Sequence, residues 1–486
     1  MHFDAGVWRP ETTRGLTAEG LSAAGAATPA TVGFSFPTLS DLRLTATRSQ
    51  VAFSTLVALF IAITVARLHE VVPFVAYLRL GKILVIPLVV LALVALPRWQ
   101  LLFALRTNVA KWVGVIVLLA ALSVPLSIWP TNSAQFFLNI PTGLFLFLVV
   151  SAGFANRAMA RRCILTLVLS VGIDALFLLV GPAPRVAGRP YIGIFLDPNE
   201  SAALFVFTVP FALALGSPKE RRGWVGLGIT ALLVAGVVVT GSRGGVIGLL
   251  IVAAMLILRA APTARRAYVI AVVLCVAVFL GTADDAQLAR FGTIFAPSTD
   301  YNLTDGEGRL QVWRRGVGYM IDHPLLGLGI DSFETAEGVL SGKLNNGYGV
   351  RYTAAHNSFV QAGAELGVFG LVAFIGVLWA AGHSCHRIRQ RAIRDRLVRP
   401  QVADEEAELA SAAYCAIVGL AATAFFLSMA YHPVMFFALA VCNGLQAGSP
   451  YQWFDPPLVT RVPRSRTEWQ KAVDLARSVE PMPPSA

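Results

Sequence analysis

The chain has 486 residues, of which 56% are hydrophobic and only 14% are charged, whereas soluble domains carry about 25% charged residues. That composition excludes an ordinary soluble domain and points to a polytopic membrane protein. The net charge of +11 would suit nucleic acid, but the basic residues sit in short connectors between apolar runs, as the positive-inside rule predicts, so nucleic acid is excluded as a partner.

Residues 1–48 are rich in Ala, Gly, Thr, Pro and Ser and have no apolar run. They lack the basic and apolar regions of a cleaved signal peptide and read as a disordered cytoplasmic tail. Apolar segments follow near 51–67, 82–97, 112–129, 136–155, 163–181, 200–216, 223–241, 244–258, 267–282, 357–382, 411–429 and 431–447. Against the roughly 20 apolar residues needed to cross a bilayer, they predict an all-α polytopic fold of about twelve transmembrane helices. Nine of these lie in 49–282 and three in 356–447. Between the two groups lies a polar loop, 283–355, and a second cytoplasmic tail covers 448–486.

Lys and Arg set the orientation. With the N-terminus inside, the even-numbered loops are the basic ones: Arg98, Arg106 and Lys111; Arg157, Arg161 and Arg162; Lys219, Arg221 and Arg222; Arg259, Arg265 and Arg266; and the run Arg387 to Arg399. The alternation predicts cytoplasmic termini in a bacterial inner membrane and puts the 283–355 loop on the periplasmic side. Arg185, Arg189 and Arg243 break the rule, being basic on the outer side beside apolar helices. Arginines so placed call for anionic ligands.

Within the loop, Thr304-Asp305-Gly306-Glu307 has capping-box spacing, and Leu310, Trp313, Val317 and Ile321 follow on one helical face. They predict an amphipathic helix ending at His323, ahead of Pro324, with that stripe against the membrane domain. Arg309 falls in its first turns, where backbone N–H groups also favour an anion. Of the cysteines, Cys163, Cys275, Cys415 and Cys442 lie in or beside apolar runs and Cys385 lies in a basic loop beside His386. Neither a disulfide framework nor a metal site is implied.

Three patterns occur in order: Thr240-Gly241-Ser242-Arg243-Gly244; Arg309-x-x-x-Trp313 leading to His323-Pro324-Leu325-x-Gly327-x-Gly329; and His356-Asn357-Ser358-Phe359 with Glu365 and Gly367. Together they resemble the O-antigen ligase and polymerase superfamily of bacterial polysaccharide assembly over roughly 190–380. Gly193 to Asn199 also resembles a family segment ahead of a span.

The resemblance implies glycosyl transfer at the periplasmic face without metal or cofactor. The donor would be a glycan on undecaprenyl pyrophosphate, and the acceptor a hydroxyl on lipid A core, on another glycan or on a protein. Arg243 and Arg309 match the arginines expected to bind the donor pyrophosphate, and His356 matches the histidine expected to activate the acceptor. The chemistry agrees, because a guanidinium fork suits phosphate oxygens and an imidazole near its ordinary pKa is a suitable general base.

Beside these sharper readings stand plainer ones. Arg243 could cap its helix or snorkel to headgroups, Arg309 could pair with Glu307 or Asp305, and His356 could bond only backbone. Arg189 and Asn199 are further substrate-binding candidates. Glu365, an acid inside a span, is expected to orient His356 or an arginine, while Arg314 and Arg315 are expected to face solvent or headgroups. His323, Gly327 and Gly329 are read as turn geometry. A transporter or flippase of an anionic solute or lipid-linked glycan is the alternative of another class, and a glycan-export scaffold is a third.

Overall fold

The computed structural model describes residues 48–67, 80–96, 104–154, 157–215 (without 182, 184, 187 and 192–196), 223–260, 262–282, 285–296, 308–344, 350–396 and 400–448. Both expected tails beyond 48 and 448, and the Thr304–Glu307 capping box, lie outside the described residues.

The described residues are all-α apart from one two-stranded hairpin. In order, the helices are α1 (Arg48–Thr64), α2 (Leu80–Ala95), α3 (Asn108–Ser123), α4 (Pro130–Phe154), α5 (Arg157–Val180), α6 (Pro198–Ala214), α7 (Gly223–Val239), α8 (Arg243–Arg259) and α9 (Pro262–Thr282). The polar loop supplies α10 (Asp285–Gly292), α11 (Arg309–Asp322) and α12 (Phe333–Leu344), and α13 (Ser358–Asp395), α14 (Pro400–Ala424) and α15 (Pro433–Gly448) follow. Strands β1 (Arg185–Val186) and β2 (Arg189–Pro190) pair antiparallel between α5 and α6. Every apolar segment anticipated from sequence falls on a helix. Five helical stretches meet both the length and the hydropathy needed to cross a membrane: 108–126, 130–154, 157–180, 358–395 and 403–424. The chain is therefore a multi-pass membrane protein, and further apolar helices, most of them shorter, accompany these five among the described residues.

Burial separates the layers. Helices α6 and α15 are apolar on nearly every side, with Phe205, Phe207, Phe211 and Phe437 fully buried; such helices belong at a bundle centre. The outer helices keep apolar residues exposed, as Ile86, Leu93 and Val94 on α2 and Ile270, Val273 and Leu280 on α9, which is the face a bilayer covers. Asn443, buried inside the bundle, is paired: its amide donates to the Ala104 carbonyl and to Ser151 Oγ at 3.0 Å each. Such pairing is what a site without water demands.

The two ends of the bundle differ. At one end Arg157 and Arg161 pair with Glu405, Arg396 with Asp404, and Arg259 donates to Ser411 Oγ at 3.0 Å. Helix α13 runs into this end. Beyond its break at Gly367 it continues over residues 368–395, about 42 Å at about 1.5 Å per residue, well past a hydrocarbon core of about 30 Å. Cys385, read from sequence as a loop residue, is buried inside this helix, because a basic surface does not stop a helix whose other face is packed.

The opposite end gathers the described residues of the polar loop and of the connectors around 126–130, 185–191, 240–243 and 425–432. The loop is built into the bundle. Helix α13 breaks at Gly367 (φ +72°), which leaves its Ala364 and Glu365 carbonyls to accept N–H groups from Leu328 (2.8 Å) and Gly329 (3.0 Å), while Val368 N–H donates to Pro324 O (2.9 Å). Gly327 and Gly329 take left-handed φ values of +63° and +97° in this turn. A Cβ on Gly327 would come within 2.4 Å of the Glu365 carbonyl carbon, and one on Gly329 within 2.3 Å of Ser127. Ser133 Oγ then donates to Ile330 O at 2.6 Å, and Ile128 N–H to Leu328 O at 2.9 Å.

Candidate functional site

The turn from α7 to α8 is shaped by its small residues. Gly241 takes φ +60°, and Ser242 caps α8 by accepting Gly245 N–H at 3.1 Å, so Arg243 is the first helical residue. A Cβ on Gly244 would lie 2.9 Å from Phe426 Cβ, and one on Gly245 would lie 2.7 Å from Ala202. These glycines let the start of α8 close against α14 and α6, and that contact brings Arg243 among the other connectors.

Arg189 arrives from β2. Its Nε donates to Thr240 O and its Nη2 to Asn199 Oδ1, each at 2.7 Å. Asn199 is in the first turn of α6, whose N-cap Asp197 forms a reciprocal capping box with Glu200. Burial first, then the charges of Arg290, Arg309 and Arg243, lowers the Arg189 pKa to about 10, with Asp197 opposing. Arg290, on α10, was not singled out from sequence. Its Nε donates to Gly241 O at 2.7 Å, and Thr293 links it to Arg243: Arg243 Nη1 donates to Thr293 Oγ1, which donates to Arg290 O, each at 2.8 Å.

Arg309 opens α11. Its helix has Gly308 as N-cap, with no side-chain cap bond. The buried face is also a different one. Val312 and Gly316 pack inward, a Cβ on Gly316 falling 2.4 Å from Val360, whereas Leu310, Val317 and Ile321 are exposed. From the expected stripe Trp313 alone is tied down, its Nε1–H donating to Ala355 O at 3.0 Å and its ring meeting Phe425 edge-on at 5.3 Å. Residues four apart share a helix face, so the Arg309-x-x-x-Trp313 spacing places Arg309 one turn from an anchor on the residue before His356. Arg315 does not face solvent as expected: its guanidinium grips buried Glu337 at 2.5–3.1 Å, and Tyr319 OH donates to the same carboxylate at 2.8 Å.

Arg189, Asn199, Arg243, Arg290 and Arg309 line one partly open cleft of about 100 Å³, closed on its apolar side by Phe426 and Leu427. The N-terminal ends of α6, α8 and α11 meet there, and their backbone N–H groups add to the positive field.

His356 stands beside this cleft. Its backbone takes φ +47°, a left-handed conformation uncommon outside glycine, and its N–H donates to Ser428 Oγ at 2.8 Å. The residues after it do the fixing. Asn357 Oδ1 caps α13 by accepting Phe359 and Val360 N–H, and Ser358 Oγ donates to the carbonyl of Leu427, a cleft residue, at 2.7 Å. The half-buried imidazole has its pKa lowered by burial and then by the Arg309 charge, with Asp197 opposing, so the ring is neutral at pH 7.

Glu365 is placed elsewhere. Fully buried in α13, its Oε1 accepts Phe333 N–H at 3.3 Å, at the start of α12, and its charged neighbours are Asp331 and Glu334. It seats the loop and bonds neither His356 nor a cleft arginine, in contrast to the expectation.

Residues 228–375 match the family model described as O-antigen ligase. The matched stretch runs from α7 into α13 and contains Arg243, Arg290, Arg309, His356 and Glu365, but not Arg189. No curated protein matches the chain.

Proposed function

We propose, from the match of residues 228–375 to the family model described as O-antigen ligase, that the cleft takes the diphosphate of a lipid-linked glycan while His356 activates an acceptor hydroxyl beside it. O-antigen ligase-like glycosyl transfer is the general activity of the family. The donor, the periplasmic face and the absence of a metal requirement belong to the proposal.

The observation that carries it is the convergence of Arg189, Arg243 and Arg309 on one cleft, with His356 held beside it where Ser358 Oγ bonds the carbonyl of the cleft residue Leu427. In the step, the acceptor oxygen bonds to the anomeric carbon and its proton passes to the His356 imidazole. The bond from that carbon to the diphosphate oxygen breaks, and its electron pair stays on the phosphate. Fixed cations stabilise the charge as it develops, and the neutral imidazole accepts a proton at pH 7. Gathering of the cleft arginines and His356 at one end of the bundle weighs against the transport reading, which needs such residues on both sides of a gate.

The test is transfer by purified protein in lipid vesicles from an undecaprenyl-diphosphate-linked glycan. Arg243→Ala, Arg309→Ala and His356→Ala should each lower the rate by about 100-fold or more while insertion and melting temperature stay near wild type. Undiminished transfer in the three variants would overturn the proposal.

A further inference from the structure

The direction of the His356 side chain is set by the peptide unit that joins it to Ala355. The carbonyl of that unit accepts Trp313 Nε1–H at 3.0 Å, and its N–H donates to Ser428 Oγ at 2.8 Å. A peptide unit is planar, so a bond at each end fixes the orientation of the plane. Rotation about the next bond, from N to Cα of His356, then decides where the imidazole points. That rotation is held at φ +47°, a region that residues with side chains disfavour.

The chain beyond His356 is tied to the same connector. Buried Ser358 donates to Leu427 O at 2.7 Å and accepts Met429 N–H at 2.9 Å, and Gln361 Oε1 accepts Ala430 N–H at 3.3 Å. Four residues in a row, Leu427 to Ala430, thus each bond the 356–361 segment. Leu427 is also part of the apolar wall of the arginine cleft, so one short strap closes the cleft and holds the histidine. It lies beyond the stretch matched by the family model, which ends at residue 375.

Within the strap, the Ser428 bond is the one made to His356 itself; the others hold the first turn of α13, which Asn357 also caps. Take away the Ser428 hydroxyl and the plane keeps only the Trp313 bond. The peptide can then turn, φ can relax to a negative value, and the ring swings out of place.

We propose that Ser428 is a positioning residue for glycosyl transfer: its hydroxyl holds the Ala355–His356 peptide in the plane that keeps the His356 imidazole aimed at the acceptor. This rests on reading His356 as the base of the proposed transfer. Ser428 acts through that ring and touches neither donor nor acceptor.

Transfer by the full chain in lipid vesicles, with donor and acceptor varied separately, tests this. Ser428→Ala should lower kcat about tenfold or more, on the scale of a displaced catalytic group, and leave the donor KM within about threefold. Ser428→Thr keeps the hydroxyl and should stay within about threefold of wild type in both constants. Ser428→Val, the isostere of threonine without the hydroxyl, repeats the comparison if the alanine variant does not fold. A double-variant cycle separates aiming the ring from holding the fold. Added to His356→Ala, the Ser428 change should cost less than about twofold more, because no ring is left to aim. Equal loss with and without the hydroxyl, a tenfold loss that persists in the His356→Ala background, or a wild-type kcat in Ser428→Ala would overturn the assignment alone. Wild-type transfer by His356→Ala would overturn the base reading and the assignment with it.

Discussion

His356 combines a strained backbone with a depressed imidazole pKa, and the second property can be read in rate data. A base must be unprotonated, so transfer should rise on an acid limb whose midpoint lies below the ordinary histidine value of 6.5. Arg309→Gln removes a neighbouring cation and should move that midpoint toward 6.5 while lowering the rate; an unmoved limb would separate the two residues. Asp331 offers a stability counterpart. Burial raises its carboxyl to about 6, with the Asn132 amide opposing and Glu334 adding to the rise. A carboxyl raised by folding favours the folded state where it is protonated. Its contribution is complete below about pH 4 and is lost as pH rises through 6, so at pH 8 the ionised Asp331 is a liability. Its backbone also sits at φ +58°, which asparagine tolerates. Asp331→Asn should therefore stabilise the protein by on the order of 1 kcal/mol at pH 8 and lose that advantage near pH 4, read as melting temperature in detergent. Arg243 and Arg309 were legible because motif residues mark them, and Arg189 because a basic residue on the outer side is out of place. Arg290 carries the same signal, an outward arginine in the polar loop, but α10 has no motif around it to raise it above a solvated helix face.

At the scale of elements, the helical period in 309–322 was readable and its facing was not. Two apolar sets lie on α11, Leu310, Val317 and Ile321 exposed and Val312 and Gly316 buried. At the rim of a bilayer both lipid and protein interior accept apolar side chains, so hydrophobicity alone does not tell one direction from the other. The Arg315–Glu337 pair was hidden for a similar reason: its acid lies on α12, 22 residues on, and only tertiary packing brings the two together. Removing Arg315 would strand a carboxylate that is 4% exposed. Arg315→Ala should cost about 3 kcal/mol, visible as a lower melting temperature that Glu337→Gln in the same chain partly restores. The break in α13 is sterically stricter. Gly367→Ala would put a Cβ 2.5 Å from Pro324 O at φ +72°, and should destabilise by about 2 kcal/mol or more by prising the 324–329 turn from the helix. A variant that melts like wild type would show that the turn is not needed to hold α13.

For the molecule as a whole, hydropathy located the helices because each must bury or lipid-face its apolar residues along a continuous run. Among the described residues five helical stretches reach the length and hydropathy of a full span, and the other apolar runs also form helices, most of them shorter. The charge pattern predicts that the cleft end faces outward, and cysteine labelling checks this. In a chain with Cys275 replaced, Asp322→Cys should react with an impermeant maleimide on intact cells and Arg394→Cys only after permeabilisation; the reverse pattern would invert the topology. The shared hydrogen bonds between the 324–329 turn and α13 also impose an order in time. Leu328 is synthesised 36 residues before Ala364, whose carbonyl it serves. During biosynthesis the loop must therefore emerge and wait, its turn donors bonded to water, until α13 is threaded and breaks at Gly367. The cleft arginines up to Arg309 are all made before that moment, but their arrangement beside His356 is completed by the last third of the chain, so a chain stopped short of residue 364 carries the charges without the site.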